Sequence, residues 1–546
     1  MPGVEKNRNY VAEITGMTHE GQGVGRIEGL AVFIDGALEG EQVETRIIKL
    51  NKTYAVGKLV AVLKPSPDRA EPFCSAYRRC GGCNLQHMDY NAQLAFKKKL
   101  VRDNLERIGG LKDILVHETI GMEKPLNYRN KAQYPVAEVN GSVITGFYAA
   151  RSHEVIDSEE CGIQDIESDR VRKVVRQFIM ENGIPVYDEK RGNGLLRHIV
   201  TRVGFNTGEI MVVLVINGKK LPHSDELVRR LIESGKAVNA EIDTAGTAEA
   251  AEMAKAAEIA KAAEMAKAVE IAIETAEAIE MAVKSAGTTE AIEIAKAVET
   301  TTEATGIAAL TKAVEATAKT DGITEASNIK SIYLNINTEN TNVILGRKNN
   351  LLYGSKTIID RIGQYRFLIS PHSFFQVNPV QTEILYSKAL EYAALTGNET
   401  VFDLYCGIGT ISLFLSARAG KVYGVEVVEE AVEDARMNVE LNGVTNVEFI
   451  PGEAEKEVPE LYKRGVRADV VVLDPPRKGC EESLLQLLAE MQPKRIVYVS
   501  CNPATLARDL KYLDERGYKA VEAQPVDMFP WTAHVEAVIL LQRQKP

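Results

Sequence analysis

Residues 401–409, Val401-Phe402-Asp403-Leu404-Tyr405-Cys406-Gly407-Ile408-Gly409, decide how the rest of the chain is read. A short apolar-leaning run ends in an acid, and two glycines follow before the helical stretch 411–418. Glycine lets the backbone turn tightly and approach a ligand at the carboxyl end of a first strand. Five further strand candidates follow at Lys421–Val425, Val447–Ile450, Val470–Leu473, Arg495–Ser500 and Val535–Gln542. Strand and helix patterns that alternate in this way predict an α/β fold, a doubly wound sheet with helices on both faces. Its ligand crevice then opens at the carboxyl ends of the strands. No Gly-Lys-Ser/Thr follows the glycines, which excludes a P-loop. Ile411–Leu413 stand where a nicotinamide dinucleotide fingerprint needs its third glycine.

Three more features fall at that crevice. Glu426 ends the second strand, where a carboxylate can accept hydrogen bonds from a ribose diol. Asp474-Pro475-Pro476-Arg477 ends the fourth, and Ser500-Cys501-Asn502-Pro503 follows the fifth. A cysteine is commonly a small buried hydrophobe. One at a strand's carboxyl end, beside the Asp474 turn and the glycine loop, is a candidate nucleophile. With a reference pKa near 8.5 it is only about 3% thiolate at neutral pH, so its site must activate it. The Asp403-x3-Gly407-x-Gly409 loop with Glu426 resembles motifs I and II of class I S-adenosylmethionine-dependent methyltransferases.

Outward from this core, the chain has 546 residues, 45% hydrophobic, 26% charged and 6% aromatic. Such a composition suits a globular protein of several domains. The first residues lack the apolar stretch of a secretory signal, and no run reaches the roughly 18 apolar residues of a membrane span. A cytoplasmic, membrane-free protein is therefore expected, and a monomer is expected as well. Residues 8–64 read as short strands punctuated by glycines, a five-stranded barrel of OB type. Residues 91–108 form an amphipathic helix pattern, and 127–220 and 331–369 read mostly as strands with a helix at Ser168–Asn182. Residues 236–328 are rich in Ala and repeat a hexad, AEMAKA, AEIAKA, AEMAKA, over 251–268. Six residues advance a helix by about 600°, so the hexad makes no single apolar stripe. The segment reads as an insertion in a surface loop without a catalytic role.

Net charge is −11, but residues 241–330 hold 8 Lys against 17 Asp and Glu, which leaves the remainder near neutral at −2. Residues 65–131 carry 12 Lys/Arg and 8 Asp/Glu. Local basic patches for phosphate contact are thus available, with Arg78, Arg79, Lys97, Lys98, Lys99, Arg129 and Lys131 as candidates. The seven cysteines, an odd number, speak against a disulfide framework. Cys74-x5-Cys80-x2-Cys83, with the distant Cys161, suits zinc or an iron–sulfur cluster, and the spacing alone does not choose.

With these cysteines, the Asp403 loop, Asp474-Pro-Pro-Arg and Cys501 on one chain, the sequence resembles the RNA (uracil-5-)-methyltransferase family. Phe374-Phe375-Gln376-Val377-Asn378 and Asp527-Met528-Phe529-Pro530…His534-Val535-Glu536 match further family signatures. The likeness spans the chain except 236–328. It implies a class I methyltransferase Rossmann-like sheet over 91–124 and 370–546, and a TRAM-like RNA-binding barrel over 1–64. It also implies a β-rich iron–sulfur domain over 65–90 and 125–369, with Cys74, Cys80, Cys83 and Cys161 holding a [4Fe-4S] cluster. By the same resemblance Cys501 is the nucleophile, Glu536 the general base and Asp474 a residue of the catalytic pocket. Gln376, Asp403, Tyr405, Gly407, Gly409, Glu426 and Asp474 then bind S-adenosylmethionine. Trp531 stands where the family often has His, and no role is assigned to it. The implied reaction is methylation of a uridine at C5 through a Cys–C6 adduct. The barrel favours 23S ribosomal RNA over the T-loop of tRNA, because the bacterial tRNA branch usually lacks it. A non-catalytic RNA-binding or chaperone protein is the alternative from another class.

Overall fold

The structure, a computed structural model, describes residues 3–245 and 327–544. The chain divides into a unit of Met1–Leu231 with Ile329–Pro546 and a second unit, Ile232–Asn328. The hexad run at 251–268 lies outside the described residues, as does most of the expected insertion.

The first five strands, β1 (Asn9–Met17), β2 (Gly23–Ile27), β3 (Leu30–Asp35), β4 (Gln42–Leu50) and β5 (Tyr54–Lys64), close into a barrel in the order β1-β2-β3-β5-β4. Period-2 alternation sends Ala12, Ile14, Val32, Ile34, Val43 and Ile47 inward, and closure leaves no open sheet edge.

Helix α1 (Tyr90–Arg107) starts at Asp89, whose side chain accepts from the Asn91 N–H. The next strands are β6 (Leu115–Val116), β7 (Lys131–Val139), β8 (Ser142–Tyr148) and β9 (Val155–Asp157). They are followed by α2 (Ile166–Glu181), β10 (Leu196–Val203), β11 (Ile210–Ile216), α3 (Ser224–Ala245), β12 (Ile329–Ile336) and β13 (Lys348–Gly354). A seven-stranded sheet runs β13-β12-β11-β10-β7-β8-β9. Its β10 and β11 are buried along their whole length. That burial explains why β11, IMVVLVI, is one apolar run rather than a clean alternation.

Strands β11 and β12 are parallel, so a crossover must join them, and α3 opens it with Leu227 and Leu231 buried on this sheet's core. A crossover needs only a dozen or so residues, far fewer than separate the two strands here. Removing 241–326 and joining the flanks is therefore expected to leave a cooperative melting transition coincident with that of the full chain. Circular dichroism checks this, and loss of the transition would make the segment part of the fold.

A short hairpin of β14 (Ile358–Ile362) and β15 (Tyr365–Ile369) leads into the last layer. There α4 (Pro379–Ala393), β16 (Thr400–Leu404), α5 (Thr410–Ser416), β17 (Lys421–Glu426), α6 (Glu429–Leu441), β18 (Val447–Pro451) and α7 (Ala454–Lys463) alternate. The chain continues through β19 (Val470–Leu473), α8 (Glu482–Met491), β20 (Arg495–Ser500), α9 (Pro503–Asp514), β21 (Tyr518–Val526) and β22 (Glu536–Arg543). The eight-stranded sheet runs β18-β17-β16-β19-β20-β22-β21-β6, with β22 antiparallel to both neighbours. Val401, Val470, Val472, Val497, Val499 and Val538 face one core. Phe402, Leu404, Val471, Leu473, Ile496 and Ile539 face the other. The α/β doubly wound fold is thus present, with the order reversing between β16 and β19, where such sheets bind ligands.

Two expectations need correction. The strand β21 is absent from the sequence reading. Its run, YKAVEAQPV, carries Lys, Glu, Gln and Pro, and a register shift between Ala520 and Glu522 breaks its alternation. Lys97 is not a surface cation. Gln93, Lys97, Val101 and Leu105, each four residues apart, form the buried stripe of α1. The Lys97 ammonium pairs with Asp527 in the interior, both side chains fully buried, and also donates to the Phe529 carbonyl at 3.1 Å. Its neighbours are engaged too: Lys98 pairs with Glu118, and Lys99 with Asp103 at 2.9 Å. Among the described helices none is long and apolar enough to cross a membrane.

Candidate active site

The glycine loop after β16 is shaped by three left-handed residues in five: Tyr405 at φ 67°, Gly407 at 55° and Gly409 at 79°. At Gly409 a Cβ would lie 2.6 Å from the Phe449 ring, so only glycine lets α5 start this close to β18. The Gly407 N–H donates to one Glu426 oxygen at 3.0 Å, and the Val428 N–H to the other at 2.9 Å. Glu426 is thereby fixed at the end of β17 with acceptor capacity to spare for a diol. The Tyr405 hydroxyl donates to Glu455 at 2.8 Å.

Asp403 is fully buried. One oxygen accepts from the Ser412 hydroxyl at 2.5 Å, and the other has no partner among the described residues. Burial, reinforced by the charges of Asp474 and Glu426, pushes its carboxyl up to about 7. Asp474 stands at the end of the adjacent strand, its N–H on the Leu404 carbonyl at 3.3 Å, and burial raises its carboxyl to about 7 as well.

Cys501 and Glu536 meet through strand register. Ser500 and Ala537 are partners across antiparallel β20 and β22, so the next pair outward is Cys501 opposite Glu536. Glu536 is 4% exposed, and burial followed by the Asp474 charge raises it well above the usual carboxylate range. Burial pushes the Cys501 thiol up to about 11, with the charges of Glu536 and Asp474 adding to it. Arg477 opposes this by charge and by a hydrogen bond to the thiol. Its backbone is tied down beside the thiol, because Asn502 Nδ2 and Thr505 Oγ1 donate to the Arg477 carbonyl at 3.0 and 3.1 Å. Arg477 carries no assigned task in the sequence motif Asp474-Pro475-Pro476-Arg477. Its place directly after Asp474-Pro-Pro was the available signal.

The Phe374–Asn378 loop reaches the same motifs from another direction. The Gln376 carbonyl accepts from Asn130 Nδ2 at 3.0 Å, and Asn378 Nδ2 donates to the Met528 carbonyl at 3.0 Å. The site is therefore a group of acids (Asp403, Glu426, Asp474 and Glu536) with a thiol and the Arg477 guanidinium. Carboxylates kept from water without enough cations suit a positively charged ligand, and Glu426 suits a ribose. Both features fit a sulfonium nucleoside such as the expected cofactor.

Cys501 opens into a cleft of about 1240 Å³, bounded by barrel residues His19, Asp35 and Lys58, by Arg78 and Gly81, and by Arg477 and His534. Of the basic candidates, Arg78 lines it. Cys80 and Cys83 form part of the same wall. Cys74, Cys80, Cys83 and Cys161 are free thiols, each partly accessible. The charge on Cys83 senses those on Cys161, Cys80 and Cys74, so the four share one neighbourhood. Burial raises the Cys83 thiol to about 12 and the Cys161 thiol to about 11. Among the described residues no three His, Cys, Asp or Glu side chains converge as the ligands of a single ion.

Comparison with known proteins agrees with this architecture. Residues 325–544 match the family model described as tRNA (Uracil-5-)-methyltransferase, and residues 4–60 match the TRAM domain. A protein of Clostridium tetani described as an uncharacterized RNA methyltransferase is 45% identical, over 98% of this chain and 97% of that one. A similarly described protein of Caldanaerobacter subterraneus is 45% identical over 99% of each. Among solved structures, the tRNA (uracil-54, C5)-methyltransferase of Pyrococcus abyssi, in complex with S-adenosyl-L-homocysteine, superposes with a TM-score of 0.65. It shares 26% identity, over 97% of this chain and 99% of that one.

Proposed function

The chain belongs to the RNA (uracil-5-)-methyltransferase family and is an S-adenosylmethionine-dependent RNA methyltransferase, and on that premise we propose that it methylates C5 of a uridine in 23S ribosomal RNA through a covalent adduct. The pairing of Cys501 with Glu536 across adjacent strands, beside Asp474, carries this reading. An N- or O-methyltransferase has no use for a thiol opposed to a buried acid.

S-adenosylmethionine supplies the methyl group as a sulfonium-activated electrophile, held by Gln376, Asp403, Tyr405, Gly407, Gly409, Glu426 and Asp474. The Cys501 thiolate adds to C6 of the uracil, and the C5–C6 electrons move toward C5 and the C4 carbonyl. C5 then takes the methyl group. Glu536 removes the remaining C5 proton, the C5–C6 double bond re-forms, and the C6–S bond breaks to release the thiolate. Covalent addition divides one hard step into easier ones. Arg477 favours the thiolate at the start of the cycle and again at its end. The raised carboxyl of Glu536 makes it a stronger base than a surface glutamate. The target base must leave its stack to reach Cys501, and the cleft leading there has room for a flipped nucleotide.

A second reading, methylation of a tRNA uridine, is favoured by the Pyrococcus abyssi tRNA enzyme, whose structure covers 97% of this chain. Mapping 5-methyluridine in both RNAs from a deletion strain decides between them. Loss from 23S RNA with tRNA unchanged supports the first reading, and the reverse supports the second.

The four free thiols are the proposed ligands of a [4Fe-4S] cluster, which would cross-link the 74–83 segment to Cys161. No step of methyl transfer passes through it. Their common neighbourhood supports a cluster, which spreads its thiolates more widely than one tetrahedral ion does. Protein purified without oxygen is expected to be brown, and Cys80→Ser to lose the broad visible absorption. Colourless wild-type protein with stoichiometric zinc would overturn the assignment.

A further inference from the structure

Trp531 is the chain's one tryptophan, and its backbone sits at φ 68°. For a bulky side chain this left-handed conformation is a true outlier, which persists only where the surroundings enforce it. Here they do. The Trp531 N–H donates to Gln93 Oε1 at 3.0 Å, and the indole Nε1–H to the Pro125 carbonyl at 2.6 Å. The Trp531 carbonyl accepts from the N–H groups of Asn84 and Leu85 at 3.1 and 3.0 Å. Its ring meets Phe73 edge-on, centroids 5.1 Å apart, and Tyr90 at 5.5 Å.

The grip comes largely from the segment that bears three of the cysteines. Phe73 precedes Cys74, and Asn84 follows Cys83. Asn84 uses its polar groups on three parts of the molecule. Its Oδ1 accepts from the Ala533 N–H at 3.0 Å, and its Nδ2 donates to the Glu20 carbonyl of the barrel at 2.8 Å. Its own carbonyl accepts from the Tyr77 hydroxyl at 3.0 Å. Residues 531 and 533 are thus pinned from outside, and three residues beyond Ala533 comes Glu536, the first residue of β22. A tryptophan that merely filled space would need no unfavourable φ. What this one does is fix the direction in which the chain enters β22.

We propose that Trp531 is a positioning residue, through which the Phe73–Leu85 segment sets the placement of Glu536 opposite Cys501. The proposal rests on the assignment of Glu536 as the base. It makes the order of the cysteine segment a condition for proton removal.

The test uses the full-length protein with uridine-containing RNA and radiolabelled S-adenosylmethionine. Trp531→Ala, Trp531→Phe (which keeps a ring but loses the bond to Pro125) and Asn84→Ala are compared with Glu536→Gln. A displaced base slows only the step after methyl transfer. The Trp531→Ala kcat is therefore expected to fall about 10–100-fold, the order a misplacement of about 1 Å produces, with KM for the cofactor unchanged. A methyl-labelled RNA–protein adduct should accumulate, as a general loss of packing would not cause. Trp531→Phe and Asn84→Ala should shift in the same direction by less, and Asn84→Ala should add little to Trp531→Ala. If Trp531→Ala does not fold, Trp531→Phe and Asn84→Ala carry the same test. An unchanged kcat in these variants overturns the proposal, as does a fall in kcat with no adduct while Glu536→Gln does accumulate one. If Glu536→Gln itself gives no adduct, the assignment of the base fails first and this inference falls with it.

Discussion

Glu536→Gln is expected to trap the enzyme on its RNA, while Cys501→Ala is expected to leave no covalent species at all. The two residues stand opposite each other where β20 and β22 pair, yet in the proposed cycle they act at opposite ends. Without the thiol no bond to C6 forms, and turnover should fall by at least about 10⁴-fold, the scale on which loss of a nucleophile is felt. RNA and cofactor binding should survive. Without the carboxylate the thiol still adds and the methyl group still transfers, but C5 keeps its proton and elimination stalls. Loss of a positioned base costs about 10²–10⁴-fold in turnover. The readout is a methyl-labelled band that survives a denaturing gel in Glu536→Gln and is missing in Cys501→Ala. An active Cys501→Ala enzyme, or a Glu536→Gln enzyme with no band, would reopen the reaction class.

Lys97→Met is expected to cost about 3–5 kcal/mol of stability, the range for breaking a buried ion pair by removing one partner. Met matches the length of the stem and leaves the Asp527 carboxylate in the interior without its cation. Among the described residues, the Asp527 carboxylate is then left with the Tyr90 hydroxyl, which donates to it at 2.8 Å. The cost should shrink in the double variant Lys97→Met with Asp527→Asn, because the stranded charge is then gone. Urea unfolding of the three proteins measures the coupling. A loss below about 1 kcal/mol, the size of an exposed pair, would mean that the ammonium reaches water after all.

The catalytic sheet was legible because its signals are local. Val401–Leu404 and Val470–Leu473 each betray themselves within a few residues, by apolar content and turn residues soon after. The barrel strands likewise announce themselves by alternation and glycines. The strand β21 did not, since a bulge and four polar or proline residues erase the pattern that periodicity relies on. The same limit governs charges. Lys97-Lys98-Lys99 reads as a basic run, yet the helix turns the first of them inward and leaves the other two to surface pairs.

By itself, then, the sequence determined the α/β class, the strand content around the glycine loop and the residues able to do chemistry. These properties reside in side-chain type and short-range spacing. Only the tertiary structure decided that Cys501 stands opposite Glu536, that Arg477 tempers the thiol, that Lys97 neutralises Asp527 in the interior and that Trp531 is held at a positive φ. Each of these depends on which distant segments pack together and which groups lose their water, and neither is encoded within one turn or one strand. Strand register brings residues 501 and 536 together, Asn502 and Thr505 tie down Arg477, and packing between α1, the cysteine segment and the loop before β22 places Lys97 and Trp531.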